Sequence, residues 1–221
     1  MSKVVALVLG LSGCRGSESP PAATSAPQPR PAALRPVVLC LGTSLTAGYG
    51  LDPAQAYPAL LQKRADAERL TFQIVNAGVS GETSAGALHR IDWLMRRPPA
   101  VLVLETGAND GLRGQDPDAL RGNIQALLDR AAARTPPPRV LLVGMRAPTN
   151  YGAGYARRFD AVYAELARKN RVALLPFLLE GVALDPAFNL PDGIHPNARG
   201  HERIAETVWA SLRPLLVTPG A

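Results

Sequence analysis

The stretch Leu41-Gly42-Thr43-Ser44-Leu45-Thr46-Ala47-Gly48-Tyr49-Gly50 decides the fold, because it joins an apolar strand to small residues that lead into a helix. Residues 37–41 are apolar at successive positions, which is typical of a strand buried on both faces. A helical pattern follows near Tyr57. A serine at the carboxyl end of the first strand lies where α/β sheets bind ligands. Glycine-rich turns before helices also hold phosphates, so this stretch alone leaves the role of Ser44 open.

Apolar segments recur along the chain at intervals of about thirty residues, the length of a β-α unit. Helical patterns lie between them. Asp116 and Pro117 open one helix, and the last helix starts near Asn197 and is expected to end at Pro214. This alternation predicts an α/β fold, a three-layer α/β/α sandwich around a five-stranded parallel sheet. The predicted strands span residues 37–42, 72–76, 101–105, 140–144 and 172–177.

The composition indicates one globular domain. The chain has 221 residues, of which 47% are hydrophobic, enough for a sizeable core. Its formal net charge of +6 arises from basic residues scattered through the helical regions, with short pairs at Arg96-Arg97 and Arg157-Arg158. Nucleic-acid binding favours a basic stripe interleaved with aromatic residues, and the sequence shows none. We therefore expect a solvated, arginine-rich surface and no nucleic-acid partner.

The first residues are expected to lie outside the fold. A short basic start precedes an apolar segment at residues 4–11, which is too short to span a bilayer and is typical of a secretory signal. The tetrad Leu11-Ser12-Gly13-Cys14 resembles a bacterial lipobox, in which cleavage precedes a cysteine that is then lipidated. The alternative is a plain secretory signal, or a misassigned start, with a cysteine there by chance.

These features divide the chain into four segments. We predict a signal peptide at residues 1–13, a lipidated Cys14 with a proline- and alanine-rich tether at residues 14–36, a folded domain at residues 37–216 and a tail at residues 217–221. The expected location is the bacterial cell envelope, periplasm-facing or extracellular, with the membrane as a partner through the lipid anchor. Cys40, in the first strand, is expected to be a small core residue.

Polar residues concentrate in the loops that follow the predicted strands, and in a parallel sheet these loops share one edge. Ser44 follows the first strand, and Asp192 and His195 occupy a turn-prone loop before the last helix. An ester-cleaving serine needs a base, a carboxylate that orients the base and donors for the oxyanion. Asp192 and His195 are close enough in sequence for their side chains to meet within one loop.

Three groups are candidate donors to that oxyanion. Gly78 has no Cβ, so its backbone N–H can approach a substrate closely. Asn109, after the third strand, offers a neutral side-chain amide. The backbone N–H of Ser44 is the third.

With these residues in place, the sequence resembles the SGNH, or GDSL, hydrolase family. The matching blocks, in the family's order, are Gly42-Thr43-Ser44-Leu45, Gly78 within Asn-Ala-Gly-Val-Ser-Gly, Gly107-Ala108-Asn109-Asp110 and Asp192-Gly193-Ile194-His195-Pro196-Asn197. Longer phrases at residues 46–51 and 143–146 resemble the arylesterase, acyl-thioesterase and lysophospholipase branch.

The resemblance implies a flavodoxin-like sandwich with Ser44 as nucleophile, His195 as base and Asp192 as the orienting acid. It implies oxyanion donors at Ser44, Gly78 and Asn109, and neither a metal nor an organic cofactor. The implied reaction is hydrolysis of carboxylic esters or thioesters through an acyl-enzyme. Short- to medium-chain acyl esters are the expected substrates, with lysophospholipids as a further class.

One position departs from the family, which usually has Asp before the nucleophile where this chain has Thr43. Threonine keeps one hydroxyl and loses the charge. We therefore expect activity from a looser or slower site, and an altered rate or melting temperature in Thr43→Asp.

Other conspicuous residues have structural interpretations. Leu112 and the loop at residues 147–155 are expected to form one wall of an acyl pocket. We expect solvated histidines at His89 and His201, packed tryptophans at Trp93 and Trp209, and structural acids at Glu105 and Asp110.

Two hypotheses from other classes remain. The fold could hold a phosphate or nucleotide without cleaving it, but the chain has no complete phosphate-loop pattern or GxGxxG. That hypothesis also gives no reason for Ser44, Asp192 and His195 to occur together. A non-catalytic, envelope-tethered interaction module with the same fold is the other, and only Thr43 supports it.

Overall fold

A parallel five-stranded sheet lies at the centre of the molecule, which the computed structural model describes over residues 35–217. The strand order is β2-β1-β3-β4-β5. The strands are β1 at Val37–Gly42, β2 at Gln73–Gly78, β3 at Val101–Glu105, β4 at Arg139–Val143 and β5 at Ala173–Leu175. The predicted α/β sandwich with a five-stranded parallel sheet is confirmed.

Helices cover both faces of this sheet. They are α1 at Ser44–Ala47, α2 at Tyr57–Ala67, α3 at Ser84–Leu94, α4 at Ala108–Leu112, α5 at Pro117–Ala132, α6 at Gly152–Asn170 and α7 at Ala198–Val217, with short 3-10 helices at Pro53–Gln55 and Thr149–Tyr151. On one face α5 packs between α3 and α6, and on the other α2 packs against α7. As predicted, Asp116 caps α5 by accepting a hydrogen bond from the N–H of Asp118, and Pro117 is the first helical residue.

The first and third strands have the predicted bounds, and the other strands differ for local reasons. β2 runs on to Gly78, because that residue pairs with Gly42 at the end of β1. β5 is shorter than expected. Pro176 follows it directly and has no N–H to add to the ladder.

Trp93 and Pro214 do not behave as expected. Trp93 is 63% exposed, so its predicted place in the core is wrong. The buried positions of α3 include Ala87 and Ile91, which are one turn apart, and Trp93 lies two residues beyond Ile91 on the opposite side of the helix. The helix α7 continues through Pro214 to Val217, because the fixed φ of proline is itself helical.

His201 is also not solvated, in contrast to the expectation. It is 1% exposed, and its Nδ1 accepts a hydrogen bond from the backbone N–H of Tyr57 at 3.1 Å. Burial lowers the imidazole pKa to about 4, so His201 is neutral at physiological pH. It lies on the same face of α7 as the buried Ile204 and Ala205, a position compatible with core packing.

Cys40, Trp209 and His89 agree with their predictions. Cys40 is fully buried in β1, and burial raises its thiol pKa to about 12. Trp209 is 7% exposed and donates its indole N–H to Glu68. His89 is exposed on α3.

The predicted signal peptide, Cys14 and most of the tether lie outside the described residues. Within residues 35–217, none of the helices combines the length and apolar character that crossing a bilayer requires.

Candidate active site

Ser44 lies at the carboxyl edge of the sheet, the edge formed by the loops that follow the strands. It is the first residue of α1, directly after β1 and its cap Thr43. The residue is 8% exposed, and its side chain contacts that of His195. Among residues 35–217, no acceptor lies within hydrogen-bond reach of the Ser44 backbone N–H. The first N–H groups of a helix lack intrahelical partners, so this donor is available to a ligand.

The structure brings Ser44, His195 and Asp192 into one hydrogen-bonded series. The Ser44 Oγ lies 3.1 Å from His195 Nε2, and His195 Nδ1 lies 2.7 Å from Asp192 Oδ2. The carboxylate only accepts, so the imidazole carries its proton on Nδ1 and presents the Nε2 lone pair to the serine hydroxyl. This is the arrangement in which an imidazole can remove the proton of an attacking serine.

The loop of Asp192 is held by its own hydrogen bonds. Asp192 Oδ1 accepts from the backbone N–H groups of Ile194 and His195, each at 2.9 Å. The His195 backbone N–H and side chain, with the N–H of Ile194, lower the pKa of the Asp192 carboxyl to about 2. Gly193 has a φ of 69°, and its N–H donates to Leu190 O at 2.9 Å. The carboxylate is therefore ionised and fixed at any physiological pH.

A buried carboxylate holds the turn before the nucleophile. Glu105, at the end of β3, is 0% exposed. It accepts hydrogen bonds from the Thr43 N–H at 2.7 Å, from the Thr43 hydroxyl at 3.0 Å and from the Thr46 hydroxyl at 2.9 Å. Burial raises the pKa of Glu105, and the donors from Thr43 and Thr46 oppose that shift. Thr43 thus anchors the turn by donating to an acid.

This arrangement alters the expected role of Thr43. An ionised Asp at this position, as the family usually has, could only accept hydrogen bonds. In this chain the side-chain oxygen of residue 43 faces another carboxylate, so a hydroxyl donor fits the position. The buried Tyr57 hydroxyl extends the cluster, because it lies 2.8 Å from Thr46 Oγ1.

Gly78 does not offer the free donor that the sequence suggested. Its N–H donates to the side-chain oxygen of Asn76 at 2.9 Å. A Cβ at Gly78 would lie 2.2 Å from the backbone nitrogen of Ala47, so the glycine is required where β2 packs against α1. We therefore correct its role to packing.

Asn109 lies against the loop that contains Gly81. Its Nδ2 donates one hydrogen to Glu82 O at 2.9 Å, and no acceptor takes the second within residues 35–217. Gly81 has a φ of 79°, and its backbone N–H likewise has no acceptor in the described part of the chain. Gly81 belongs to the Ser-Gly-Glu-Thr turn whose Glu82 accepts the hydrogen bond from Asn109. That sequence neighbourhood is the signal that could have identified Gly81, instead of Gly78, as an oxyanion donor.

An ion pair between Arg90 and Glu82, which the sequence does not predict, holds this loop in place. Arg90 donates from Nε and Nη2 to the two carboxylate oxygens of Glu82, each at 2.6 Å. The same Nη2 donates to Gly42 O at 3.3 Å, which ties the loop to the end of β1. Such forked pairs fix geometry as well as charge. The separation of Glu82 and Arg90, one in a loop and one in α3, gives no local sequence signal.

Apolar side chains surround the polar centre. The Tyr49 ring lies 4.4 Å from the His195 ring, centroid to centroid, and half of the Tyr49 surface is exposed. Leu112 and Tyr151 are 47% and 41% exposed, and the Tyr151 hydroxyl donates to Leu112 O at 3.0 Å. Leu112 and the loop at residues 147–155 thus adjoin one another, as the acyl-wall prediction requires.

The acids near Ser44 have hydrogen-bond partners of their own. Asp192 pairs with His195, and the Asp110 carboxylate accepts from the hydroxyl and the N–H of Ser84. Over residues 35–217, no three side chains of His, Cys, Asp or Glu are grouped so that they could hold a metal ion.

Comparison with known proteins shows that this chain is similar to lipases and acylhydrolases. The model of the GDSL-like Lipase/Acylhydrolase family matches residues 40–203, most of the described chain. Esterase TesA from Pseudomonas aeruginosa is 43% identical over 180 residues, which cover 81% of this chain and 89% of that protein.

Two further relatives agree. The thioesterase 1/protease 1/lysophospholipase L1 of Escherichia coli K12 is 39% identical over 186 residues, which cover 84% of this chain and 87% of that protein. The structure of the psychrotrophic esterase EstA from Pseudoalteromonas sp., inhibited by monoethylphosphonate, superimposes with a TM-score of 0.77 at 31% identity. That match covers 82% of this chain and 99% of the other.

Proposed function

The chain belongs to the GDSL-like lipase/acylhydrolase family and is a carboxylic ester hydrolase, and we propose that Ser44, His195 and Asp192 are its catalytic triad. The observation that carries the proposal is the pair of contacts from Asp192 to His195 at 2.7 Å and from His195 to Ser44 at 3.1 Å. Together they supply a nucleophile, a base with a free lone pair and an ionised acid that fixes the tautomer of the base.

The first half of the reaction forms an acyl-enzyme. Ser44 Oγ attacks the carbonyl carbon of the ester or thioester while its proton passes to His195 Nε2. The imidazolium that results is stabilised by the Asp192 carboxylate. The tetrahedral intermediate collapses as His195 returns the proton to the departing alcohol or thiol, which leaves the acyl group on Ser44.

The second half releases the acid. Water attacks the acyl carbonyl as His195 removes its proton, and the same proton returns to Ser44 Oγ when the carboxylic acid leaves. In each half the carbonyl oxygen becomes negative. We assign its donors as the Ser44 N–H, the second Asn109 Nδ2 hydrogen and, in place of Gly78, the Gly81 N–H, because each lacks another acceptor in residues 35–217.

The substrates are proposed from the relatives and from the apolar rim. The named relatives are an esterase and a thioesterase with lysophospholipase activity, so we assign esters and thioesters with short- to medium-chain acyl groups and lysophospholipids. Exposed Tyr49, Leu112 and Tyr151 provide apolar surface for an acyl or aryl group beside the nucleophile.

The segments at the termini complete the proposal. We assign residues 1–13 to a signal peptide, Cys14 to lipidation, residues 14–36 to the tether and residues 37–216 to the hydrolase domain, with the protein in the cell envelope. The support is the sequence alone, in particular the tetrad Leu11-Ser12-Gly13-Cys14. Fractionation of cells that express the Cys14→Ser variant tests the anchor, because that variant is expected to leave the membrane fraction.

The direct test is hydrolysis of a short-chain p-nitrophenyl ester by the wild-type chain and by Ser44→Ala. We expect turnover by the first and none above background by the second. Equal turnover by both would identify another nucleophile. A folded wild type without activity would favour a non-catalytic module.

A further inference from the structure

The topology gathers charges that are scattered in the sequence. The helices α2, α3, α5 and α6 each precede a strand of the parallel sheet, so their last turns and the following loops all lie at its amino edge, opposite Ser44. Five strands at a spacing of about 4.8 Å make this edge about 20 Å wide. The basic row is defined as the exposed cations of these segments: Arg69, Arg96, Arg97, Arg168, Lys169 and Arg171.

The acids of the same segments have partners. Asp66 pairs with Arg35, Glu68 with Arg213, and Asp92 with Arg130 and Arg134. Asp129 accepts a hydrogen bond from Gln125. No member of the basic row forms an ion pair with a residue in the range 35–217. The amino edge therefore carries an excess of positive charge that the fold itself does not neutralise.

The helix dipole explains part of this excess. Cations are favoured at helix carboxyl ends, and Arg168 and Lys169 occupy the last turn of α6. Arg96 and Arg97 are different, because they follow the end of α3 at Leu94, in the loop that leads to β3. Beside them, Trp93 exposes 63% of its surface to solvent. The helix dipole favours cations at this end of α3, but it does not explain the exposure of the Trp93 side chain.

From this combination we infer that the amino edge is a docking surface for an anionic lipid bilayer. Indole rings favour the interface between water and hydrocarbon, where one side of the ring is apolar and its N–H remains wet. Arginine and lysine beside it are attracted to acidic headgroups. A basic surface also attracts nucleic acid. Single-stranded nucleic acid is bound by stacking successive bases on several aromatic side chains, however, and this edge has a single exposed tryptophan.

The path of the chain agrees with this orientation. β1 starts at Val37 on the amino edge, and the Ala100 N–H, just before β3, donates to Val37 O at 2.8 Å. The described part of the chain thus begins, at Arg35, beside the edge that bears Trp93 and Arg96. Docking there leaves the Ser44 edge turned away from the bilayer, with access to substrates in the aqueous phase.

The test is binding to lipid vesicles of the chain from residue 14 onward, carrying Cys14→Ser, so that neither the apolar segment at residues 4–11 nor an acyl anchor contributes. We expect binding to phosphatidylcholine vesicles that contain phosphatidylglycerol, little binding to pure phosphatidylcholine, and release by salt. Replacing Arg96 and Arg97 together by alanine should weaken binding about 25-fold, at about fivefold for each charge. The control replaces Arg157 and Arg158, an adjacent exposed pair near the start of α6 on the opposite edge, where Arg158 pairs with Asp116 and Asp118.

Tryptophan emission supplies a second readout. The chain has two tryptophans, and Trp209 is buried in α7. A blue shift on vesicles that disappears in Trp93→Phe would place the indole of Trp93 in the interface. All variants should hydrolyse a soluble ester at the wild-type rate, which shows that they are folded and separates this test from that of the triad.

Three results would overturn the inference. They are the absence of binding to anionic vesicles, equal weakening by the Arg157 and Arg158 control, and an emission shift that persists in Trp93→Phe. Binding to a DNA oligonucleotide that depends on Arg96 and Arg97, without binding to vesicles, would assign the edge to nucleic acid instead.

Discussion

The two edges of the sheet use charge in opposite ways. At the carboxyl edge each ionised side chain near Ser44 is fixed by partners, as Asp192 is by His195 and Ile194 and as Glu82 is by Arg90. At the amino edge Arg96 and Arg97 remain without ion pairs among residues 35–217, next to an exposed Trp93. A paired charge is positioned for chemistry, and an unpaired exposed charge is available to a partner.

The largest effect is expected at Asp192. In Asp192→Asn the amide oxygen can still accept the N–H of Ile194 and His195, but the group no longer holds the proton on His195 Nδ1. By the precedent of serine proteases, kcat should fall by about four orders of magnitude. Steady-state kinetics with a soluble ester measures it, with the melting temperature as the control for folding. A loss below tenfold would contradict the assigned role of Asp192.

A smaller effect is expected from the buried His201. Its pKa of about 4 lies below the usual value of 6.5, so the unfolded chain binds this proton first as the pH falls. The stability that neutral His201 contributes is therefore complete above pH 6.5 and is lost between pH 6.5 and 4, by at most about 3 kcal/mol. Urea unfolding should show that the free energy of unfolding falls as the pH decreases across this range, and His201→Gln should make this fall smaller. An unchanged slope in the variant would refute the assignment.

Thr43→Asp should change the pH dependence of stability in the direction opposite to that of His201. It would place a second carboxyl beside buried Glu105, where Thr43 Oγ1 now lies 3.0 Å from one carboxylate oxygen. The two acids would have to share a proton, which raises the pKa of the pair in the folded state. The variant should therefore lose about 1–3 kcal/mol of stability as the pH rises toward neutrality, and regain it in acid.

The control for that prediction is Thr43→Asn, which has a similar shape and does not titrate. The difference in the free energy of unfolding between Thr43→Asn and the wild type should not vary with pH. If the Asp and Asn variants respond to pH alike, the carboxylate of Glu105 does not govern this position.

The smallest effect is expected at the amino edge. Alanine at Arg96 and Arg97 should leave the ester-hydrolysis rate unchanged and the free energy of unfolding within about 0.5 kcal/mol, because neither side chain forms a hydrogen bond or ion pair with another residue in the range 35–217. A soluble substrate and urea unfolding measure both quantities. A larger loss of either would show that the two edges are not independent.

The features that the sequence predicted are those encoded locally. The apolar runs of β1 and β3 lie between buried layers, so their bounds follow from the sequence. The side chains of Asp192 and His195 meet within one loop, as their spacing predicts. Ser44 reaches His195 because the parallel sheet places the end of β1 at the same edge as that loop. Asp116 and Pro117 likewise define the start of α5 by local capping.

The features that were missed depend on partners that are distant in sequence. The lack of a Cβ suggests Gly78 as an oxyanion donor, but packing against Ala47 is what requires the glycine. The pairing of Thr43 with Glu105 joins the ends of neighbouring strands, and no local pattern reports it. The charge at the amino edge is the extreme case, because isolated arginines form one surface only once the strand order is known.

Ser44 is the proposed nucleophile of this ester hydrolase. A reactive phosphonate ester reports on that role, because the serine displaces the leaving group and keeps the phosphonyl group as a stable adduct. Intact-mass measurement should find one adduct per chain, peptide mapping should place it on Ser44, and Ser44→Ala should remain unmodified. An adduct that persists in Ser44→Ala, or a wild type that is active on esters but unlabelled at Ser44, would contradict the account.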